Sequence, residues 1–187
     1  MSDHHNAQSK LFSAIIAVLS AALLTASLGC NSKTKPTPEN FTAALNKWFL
    51  EHSDCLLSNT RFPYETSNRA EIKQFNSLVK AQLLEVHEEA SIHVSRYTVS
   101  ASGARYAPRF CYGHRVVSSI DSSTPPAVAN GFPETQVTYH YTMQDVPIWA
   151  KTTEVQVAFP KLATATSGQA SDHATLAQTL AGWQVPD

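Results

Sequence analysis

The chain has 187 residues, of which 43% are hydrophobic and 16% charged, and its formal net charge is −1 at pH 7. This composition is typical of a globular protein, and its lack of a basic excess argues against nucleic acid as a partner. Six glycines, widely scattered, also argue against a phosphate-binding loop or a dinucleotide fingerprint.

The first 29 residues have the pattern of a secretory signal peptide. Residues 1–10 are polar, residues 11–28 are uncharged and mostly apolar, and small residues precede Cys30. The stretch SLGC resembles the bacterial lipoprotein signal, which implies that the Cys30 thiol receives a lipid and becomes the first mature residue. Ser27 stands where that signal usually has leucine. Cleavage by ordinary signal peptidase, which would release a soluble protein, and retention as an uncleaved anchor are the alternatives.

Residues 30–40 are expected to form the lipidated cysteine and a flexible, polar tether that contains two prolines. By resemblance to enteric lipoproteins, Asn31 favours the outer membrane. We therefore expect a cell-envelope protein that is anchored by Cys30 and faces the periplasm. Residues 41–187 are expected to form a single globular domain.

The chain has three cysteines. If Cys30 carries lipid, Cys55 and Cys111 remain in an oxidising compartment, where two cysteines usually pair. The cysteine pattern thus predicts a disulfide between Cys55 and Cys111, with two separate buried thiols as the alternative.

Two amphipathic helices are predicted in the first half. Thr37 is a favourable N-cap and Pro38 suits the first helical position. The apolar stripe that follows consists of Phe41, Ala44, Leu45, Trp48 and Phe49. A second helix is predicted over 67–81, closed by Leu83 and Leu84, then a strand over 92–97 and a short helix capped by Ser100.

This region resembles the winged-helix pattern. The matching residues are Leu78, Val79, Ala81, Leu83, Leu84, Tyr97, Val99, Ser100, Gly103 and Tyr106. Gln82 stands where the family has glycine, and Ser100 where it has threonine. The resemblance implies a winged-helix-like helical half. We do not expect it to bind DNA, because acidic residues surround the basic residues of the second helix.

An antiparallel sheet is predicted in the second half. Residues 134–146 alternate strictly, with Val137, Tyr139, Tyr141 and Met143 on one face. Residues 109–121 alternate before a proline-broken loop over 122–131. Residues 152–165 are compatible with a short helix or a strand, and residues 173–185 with a hairpin that turns near Ala181 or with a helix.

No catalytic residue, metal site or cofactor is predicted. Ser77 and Lys80 have the S-x-x-K spacing of penicillin-recognising enzymes, but candidate partner motifs at Lys151 and Ser171 come in the reverse order. The histidines lack the spacing of a zinc-protease motif. His52, His114, His140 and His173 would converge only through folding.

Seven aromatic residues are candidates for a ligand groove, although core packing is the favoured interpretation. They are Tyr97, Tyr106, Phe110, Tyr112, Tyr139, Tyr141 and Trp149. The runs CYG, ETQVTYHY and PIWA resemble small bacterial lipoproteins, some of which carry a label taken from carbapenem gene clusters. That resemblance implies no catalytic residue.

Taken together, these patterns predict an α+β fold, with a winged-helix-like helical half followed by an antiparallel β-sheet. The expected function is a lipid-anchored binding or interaction module. Its expected partners are the membrane, through the lipid, and an envelope protein. An envelope hydrolase and a binder of small antibiotics are the alternative functions.

Overall fold

The computed structural model describes residues 33–186. Cys30 and the predicted signal peptide lie outside these residues. Within them, no helix is long and apolar enough to cross a membrane.

The first helix, α1, spans Pro38–Glu51 and begins as its sequence predicts. The Thr37 hydroxyl accepts a hydrogen bond from the Asn40 backbone N–H at 3.5 Å, which satisfies one of the free donors of the first turn. Phe41, Leu45 and Phe49 form the buried stripe. Since Pro38 opens the helix, the tether predicted over 30–40 is shorter than expected at its carboxyl end.

A short segment before α1, residues 33–35, lies against the end of the chain; we call it the N-terminal strap. The Trp183 indole N–H donates to the Thr34 carbonyl at 3.2 Å and to the Lys35 carbonyl at 3.1 Å. The Gln178 amide also donates to the Thr34 carbonyl at 3.0 Å. The strap is therefore bound to the domain, whereas the sequence predicted a flexible tether here.

The helical half combines one helix with a small antiparallel sheet. Strand β1 (Tyr64–Thr66) precedes helix α2 (Arg69–Lys80), and strands β2 (Leu84–Glu89) and β3 (Val94–Val99) follow it. The strand order is β1-β3-β2. The Asn68 side chain caps α2 by accepting from the backbone N–H groups of Ala70 and Glu71.

Strand β2 was not predicted, because Leu83 and Leu84 read as the end of a helix. In the structure α2 ends at Lys80, Gln82 takes a positive φ of 60°, and Leu84 opens the strand. The residues after Ser100 form consecutive turns and no regular helix, although the Ser100 hydroxyl accepts from the Gly103 N–H as predicted. The winged-helix resemblance of this half stays a prediction.

The second half is an antiparallel sheet with the strand order β4-β6-β7-β8, and β5 pairs with β6. Its strands are β4 (His114–Ser123), β5 (Ala127–Ala129), β6 (Phe132–Gln144), β7 (Ala170–Thr179) and β8 (Gly182–Gln184). The alternation predicted for β6 is confirmed, since Val137, Tyr139 and Tyr141 are buried while Gln136 and His140 are exposed.

Strand β5 lies inside the predicted loop. It joins β6 through a two-residue Asn130–Gly131 turn in which both residues have positive φ, at 52° and 82°. Asparagine followed by glycine is the strongest short-range signal for such a hairpin. The hairpin predicted at the end of the chain is present, with β7 and β8 joined at Leu180 and Ala181.

The residues between strands β6 and β7 form three short helical segments. A 3-10 helix over Ile148–Lys151 is followed by α3 (Thr153–Ala158) and α4 (Pro160–Ala165). Pro160 starts α4, because its missing N–H costs nothing at the first helical position.

A hydrophobic core cluster extends across both halves. Helix α1 covers the large sheet: the Phe41 ring lies edge-on to Trp183 with centroids 5.2 Å apart, and Phe49 lies 5.8 Å from Tyr139. In the helical half, the ring of Phe75 packs against that of Tyr97 at 4.9 Å. Helices packed on antiparallel sheets confirm the predicted α+β class.

Candidate functional site

The two predicted disulfide cysteines are joined: Cys55 and Cys111 form a disulfide. They form an isolated bridge between two antiparallel segments. Backbone hydrogen bonds flank it on both sides. On one side Asp54 N–H donates to Gly113 O at 2.9 Å and Tyr112 N–H to Asp54 O at 2.8 Å, and on the other side Leu56 N–H donates to Phe110 O at 3.2 Å. The disulfide therefore fixes the position of Asp54, the residue immediately after the turn that leaves α1.

Asp54 belongs to a charged cluster centred on Arg115 of β4. The Arg115 Nε and Nη2 groups donate to the two Asp54 carboxylate oxygens at 2.9 and 3.0 Å. Its Nη1 group donates to the Asp172 carboxylate at 2.7 Å and to the Tyr139 hydroxyl at 3.2 Å. These bonds use four of the five N–H groups of the guanidinium.

Aromatic rings hold the guanidinium from the sides. Its carbon lies 4.6 Å from the centroid of the Tyr141 ring and 5.3 Å from that of Phe49. A cation over an aromatic face is attracted by the ring quadrupole, and more strongly where water is excluded. Arg115 is thus bound by α1, by the segment that follows it, and by strands β6 and β7.

The pKa values of Arg115, Asp172 and Tyr139 are all shifted further from pH 7. Burial alone would lower the pKa of Arg115, but its hydrogen bonds to Asp54 and Asp172 outweigh burial and raise it. Burial would raise the pKa of Asp172, but hydrogen bonds from Arg115 and from the His173 N–H outweigh it and lower the value. Burial raises the pKa of Tyr139 to about 12. These three groups therefore keep one charge state throughout the physiological range.

A cavity of about 440 Å³ opens beside this cluster, between α1 and strands β6 and β7. Its lining mixes both signs of charge, two histidines and aromatic surface. The residues that line it include Trp48, Glu51, His52, Asp54, Arg109, Arg115, Tyr139, Asp172 and His173. The size lies within the range of small-molecule sites, which is roughly 300–1,000 Å³.

A stacked pair of rings stands at one side of the cavity. Trp48 and His52, one helical turn apart, lie parallel with centroids 4.1 Å apart. The His52 Nδ1 atom is 2.8 Å from the Trp48 carbonyl oxygen. If Nδ1 carries the proton and donates to that carbonyl, Nε2 is left as an acceptor. The pair adds a stacked aromatic surface to a cavity that polar and apolar side chains line together.

The S-x-x-K residues lie elsewhere, along a second cavity of about 570 Å³ between α2 and α3. The Ser77 hydroxyl donates to the Gln74 carbonyl of its own helix at 2.6 Å, and the residue is buried. That hydroxyl is therefore engaged with the backbone. Arg69, Lys73 and Lys80 line the same cavity, which is a basic groove.

Of the four histidines that only folding could bring together, two line one cavity and two do not. His52 and His173 line the cavity beside Arg115. His114 instead lies 3.3 Å from Asp145, and His140 is on the exposed face of β6. Among residues 33–186, no group of three or more His, Cys, Asp or Glu side chains is arranged to hold a metal ion.

The candidate aromatic residues are mostly core residues. Six of the seven are buried, and Tyr106 is partly buried against the core. Only Tyr139 among them lines the cavity beside Arg115. The sequence did not single out Arg115, Asp54 or Asp172, since single charged residues in different segments carry no local signal of a shared site.

Comparisons with protein-family models, with curated proteins and with solved structures gave no significant match to this chain.

Proposed function

We propose that this protein is a lipid-anchored protein of the cell envelope whose domain is a binding module. The observation that supports binding is the cavity beside Arg115, in which Asp54 and Asp172 are paired with the guanidinium. A group that transfers protons in catalysis works best when its pKa is near the operating pH. The pKa values of Arg115, Asp172 and Tyr139 are instead shifted away from neutral pH. These groups therefore keep a fixed charge state, which suits recognition of a polar partner.

The proposed anchor is a lipid on Cys30, and its support is the SLGC stretch at the end of an apolar run. Metabolic labelling with palmitate should tag the wild type and spare Cys30→Ser, which should also lose membrane attachment. A mature N-terminus elsewhere would refute the anchor, and so would unlabelled protein that still binds membranes.

The binding role is tested by capture from envelope extracts with the full chain as bait. His173 is exposed at the cavity, with 78% of its side chain accessible, so His173→Ala should preserve the fold. His87 on β2 is equally exposed at 76% and lies outside the cavity. We expect His173→Ala combined with Glu51→Ala to weaken capture at least about tenfold, or 1.4 kcal/mol, and His87→Ala to leave it unchanged. Equal capture by both variants would contradict the proposal.

Binding of a small molecule in the same cavity is the second candidate function, because the volume is that of a ligand pocket. A thermal-shift screen with small polar molecules, antibiotics included, would identify it. A shift should disappear in the His173→Ala and Glu51→Ala double variant and persist in His87→Ala.

A further inference from the structure

Three large apolar side chains are exposed at one end of the large sheet, which we call the hairpin end. They are Val128, Phe132 and Leu180, which are 79%, 50% and 105% exposed. Val128 and Phe132 belong to the β5–β6 hairpin, and Leu180 is in the turn between β7 and β8. Exposed apolar side chains that occur singly need no explanation, but a group of them indicates a contact surface.

The register of the strands places these residues together. Glu134 of β6 pairs with Ala127 of β5 and with Ala177 of β7, so β5 and β7 lie on opposite sides of β6. Because β6 starts at Phe132 and β7 ends at Thr179, both hairpin turns project from the same end. With adjacent strands about 4.8 Å apart, β5 and β7 are separated by only about 10 Å.

The N-terminal strap reaches the same end. A Cβ atom on Gly182 would lie 3.1 Å from the Lys33 carbonyl oxygen and 3.4 Å from the Lys33 Cβ atom. Gly182 pairs with Thr179, directly beside the Leu180 turn. Lys33 is therefore at the base of this hairpin, held by the hydrogen bonds from Trp183 and Gln178 to the next residues.

The length of chain between the strap and the anchor limits how far this end can be from a bilayer. Cys30 precedes Lys33 by three residues, which span at most about 10 Å when fully extended. The bound strap thus removes most of the reach that a free tether over 30–40 would have. A lipid on Cys30 would bring the bilayer surface within that distance of Lys33.

From these observations we infer that the hairpin end faces the membrane and that Leu180, Val128 and Phe132 enter the lipid interface. This inference rests on the proposed lipid anchor and adds the orientation of the domain to it. Lys33 and Lys35 are exposed, and Lys33 lies beside Gly182 at the base of the Leu180 turn, where its charge complements anionic headgroups. Glu134, also at this end, is partly buried and accepts a hydrogen bond from Asn130 at 3.1 Å. The lipid attaches the chain to the bilayer, and contact of these side chains with the interface adds buried apolar area that fixes the orientation of the domain.

Tryptophan fluorescence in vesicles tests the orientation with the full acylated chain. Leu180→Trp places a reporter at the hairpin end, and Val128→Trp is a second reporter there. Ile148→Trp is the matched control, because Ile148 is 86% exposed and follows the opposite end of β6. Each variant is reconstituted in phosphatidylcholine–phosphatidylglycerol vesicles, with or without bromine on the acyl chains near the glycerol. The emission of the wild type, which has three tryptophans, is subtracted.

We expect the emission added by Leu180→Trp and Val128→Trp to shift to the blue in vesicles and to lose more than about half its intensity with brominated lipid. The emission added by Ile148→Trp should not change. Acylated protein in which the hairpin-end reporters are quenched no more than the control would overturn the orientation alone. A blue shift without vesicles would also overturn it, by indicating a protein contact. Mass spectrometry that finds no lipid on Cys30 would overturn both the anchor and the orientation.

Discussion

Replacing Arg115 by methionine should test whether the charged cluster holds the fold together. The substitution removes the guanidinium and leaves the Asp54 and Asp172 carboxylates beside each other without their cation. Methionine fills part of the same space, so the main loss is electrostatic. The side chains of Arg115 and Asp54 are 19% exposed and that of Asp172 is 39% exposed.

The expected cost follows from these exposures. Breaking a fully buried ion pair by removing one partner costs about 3–5 kcal/mol. More than a third of the Asp172 side chain is exposed, so solvent screening reduces the contribution of its ion pair. The lost cation–π contacts with Phe49 and Tyr141 add about 0.5–1 kcal/mol each. We therefore expect a loss of about 3 kcal/mol at pH 7, equivalent to a melting temperature lower by about 6–12 °C.

The loss should depend on pH in a definite direction. The pKa of Asp172 is lowered in the folded state, so its pairing stabilises the fold above the unfolded pKa of about 3.9 and is lost as pH falls through the folded pKa. In Arg115→Met that contribution is absent, and acid protonates carboxylates that repel each other. The difference in unfolding free energy between wild type and variant should therefore shrink as the pH falls below about 4.

Urea denaturation with the disulfide intact, followed by tryptophan fluorescence, measures the unfolding free energy at each pH. Arg96→Met is the control, because Arg96 and Glu65 form an exposed pair 3.7 Å apart, and such a pair contributes about 0–1 kcal/mol. If Arg115→Met cost no more than Arg96→Met, or if its cost grew on acidification, the assignment of Arg115 as the cation that neutralises this cluster would be refuted.

Three further predictions concern other parts of the chain. Cys55→Ser should lower the unfolding free energy by about 4 kcal/mol, since the disulfide closes a separation of 56 residues; mass spectrometry without reductant should find the linked peptides, and free thiols at both positions would contradict it. Gly103→Ala should cost about 1–3 kcal/mol in urea denaturation, because its Cβ would overlap the Leu83 carbonyl oxygen, whereas exposed Ser102→Ala should cost little. Duplex DNA should not be retarded in a gel below about 10⁻⁵ M protein at physiological salt, because the net charge is −1 and strand β2, which follows α2, is acidic; sequence-dependent retardation that Lys73→Ala abolishes would contradict this.

The elements that local patterns determine could be predicted. Thr37 and Pro38 predicted the start of α1, and the alternation of residues 134–146 predicted β6. In each case the signal lies within one segment and repeats with the period of the element. The pairing of Cys55 with Cys111 could be predicted for a different reason, since only two cysteines remained once Cys30 was assigned to a lipid.

The elements that were missed depend on a single residue or on distant contacts. Strand β2 follows α2 because Gln82 adopts a positive φ. A glutamine does not by itself indicate such a backbone conformation. Strand β5 was hidden by the prolines before it, although the Asn130–Gly131 pair was a readable turn signal.

The cavity beside Arg115 could not be predicted. Its central pairs join residues separated by 61 and 57 positions. A charged residue in an alternating strand is ordinarily solvent-facing, and only the register with β6 and the disulfide beside Asp54 bring its partners to it. Sites of this kind depend on tertiary contacts, so they become visible only in the folded chain.

The contact between the N-terminal strap and Trp183 has a consequence for the order of folding during synthesis. The two partners are 149 residues apart, and a ribosome adding roughly 5–20 residues per second needs about 7–30 s to cover that distance. Throughout that interval the strap and the Phe41 face of α1 have no Trp183 to pack against. The Phe41 end of the first helix is therefore completed only by the final strand, whereas its Phe49 end packs against Tyr139 of β6.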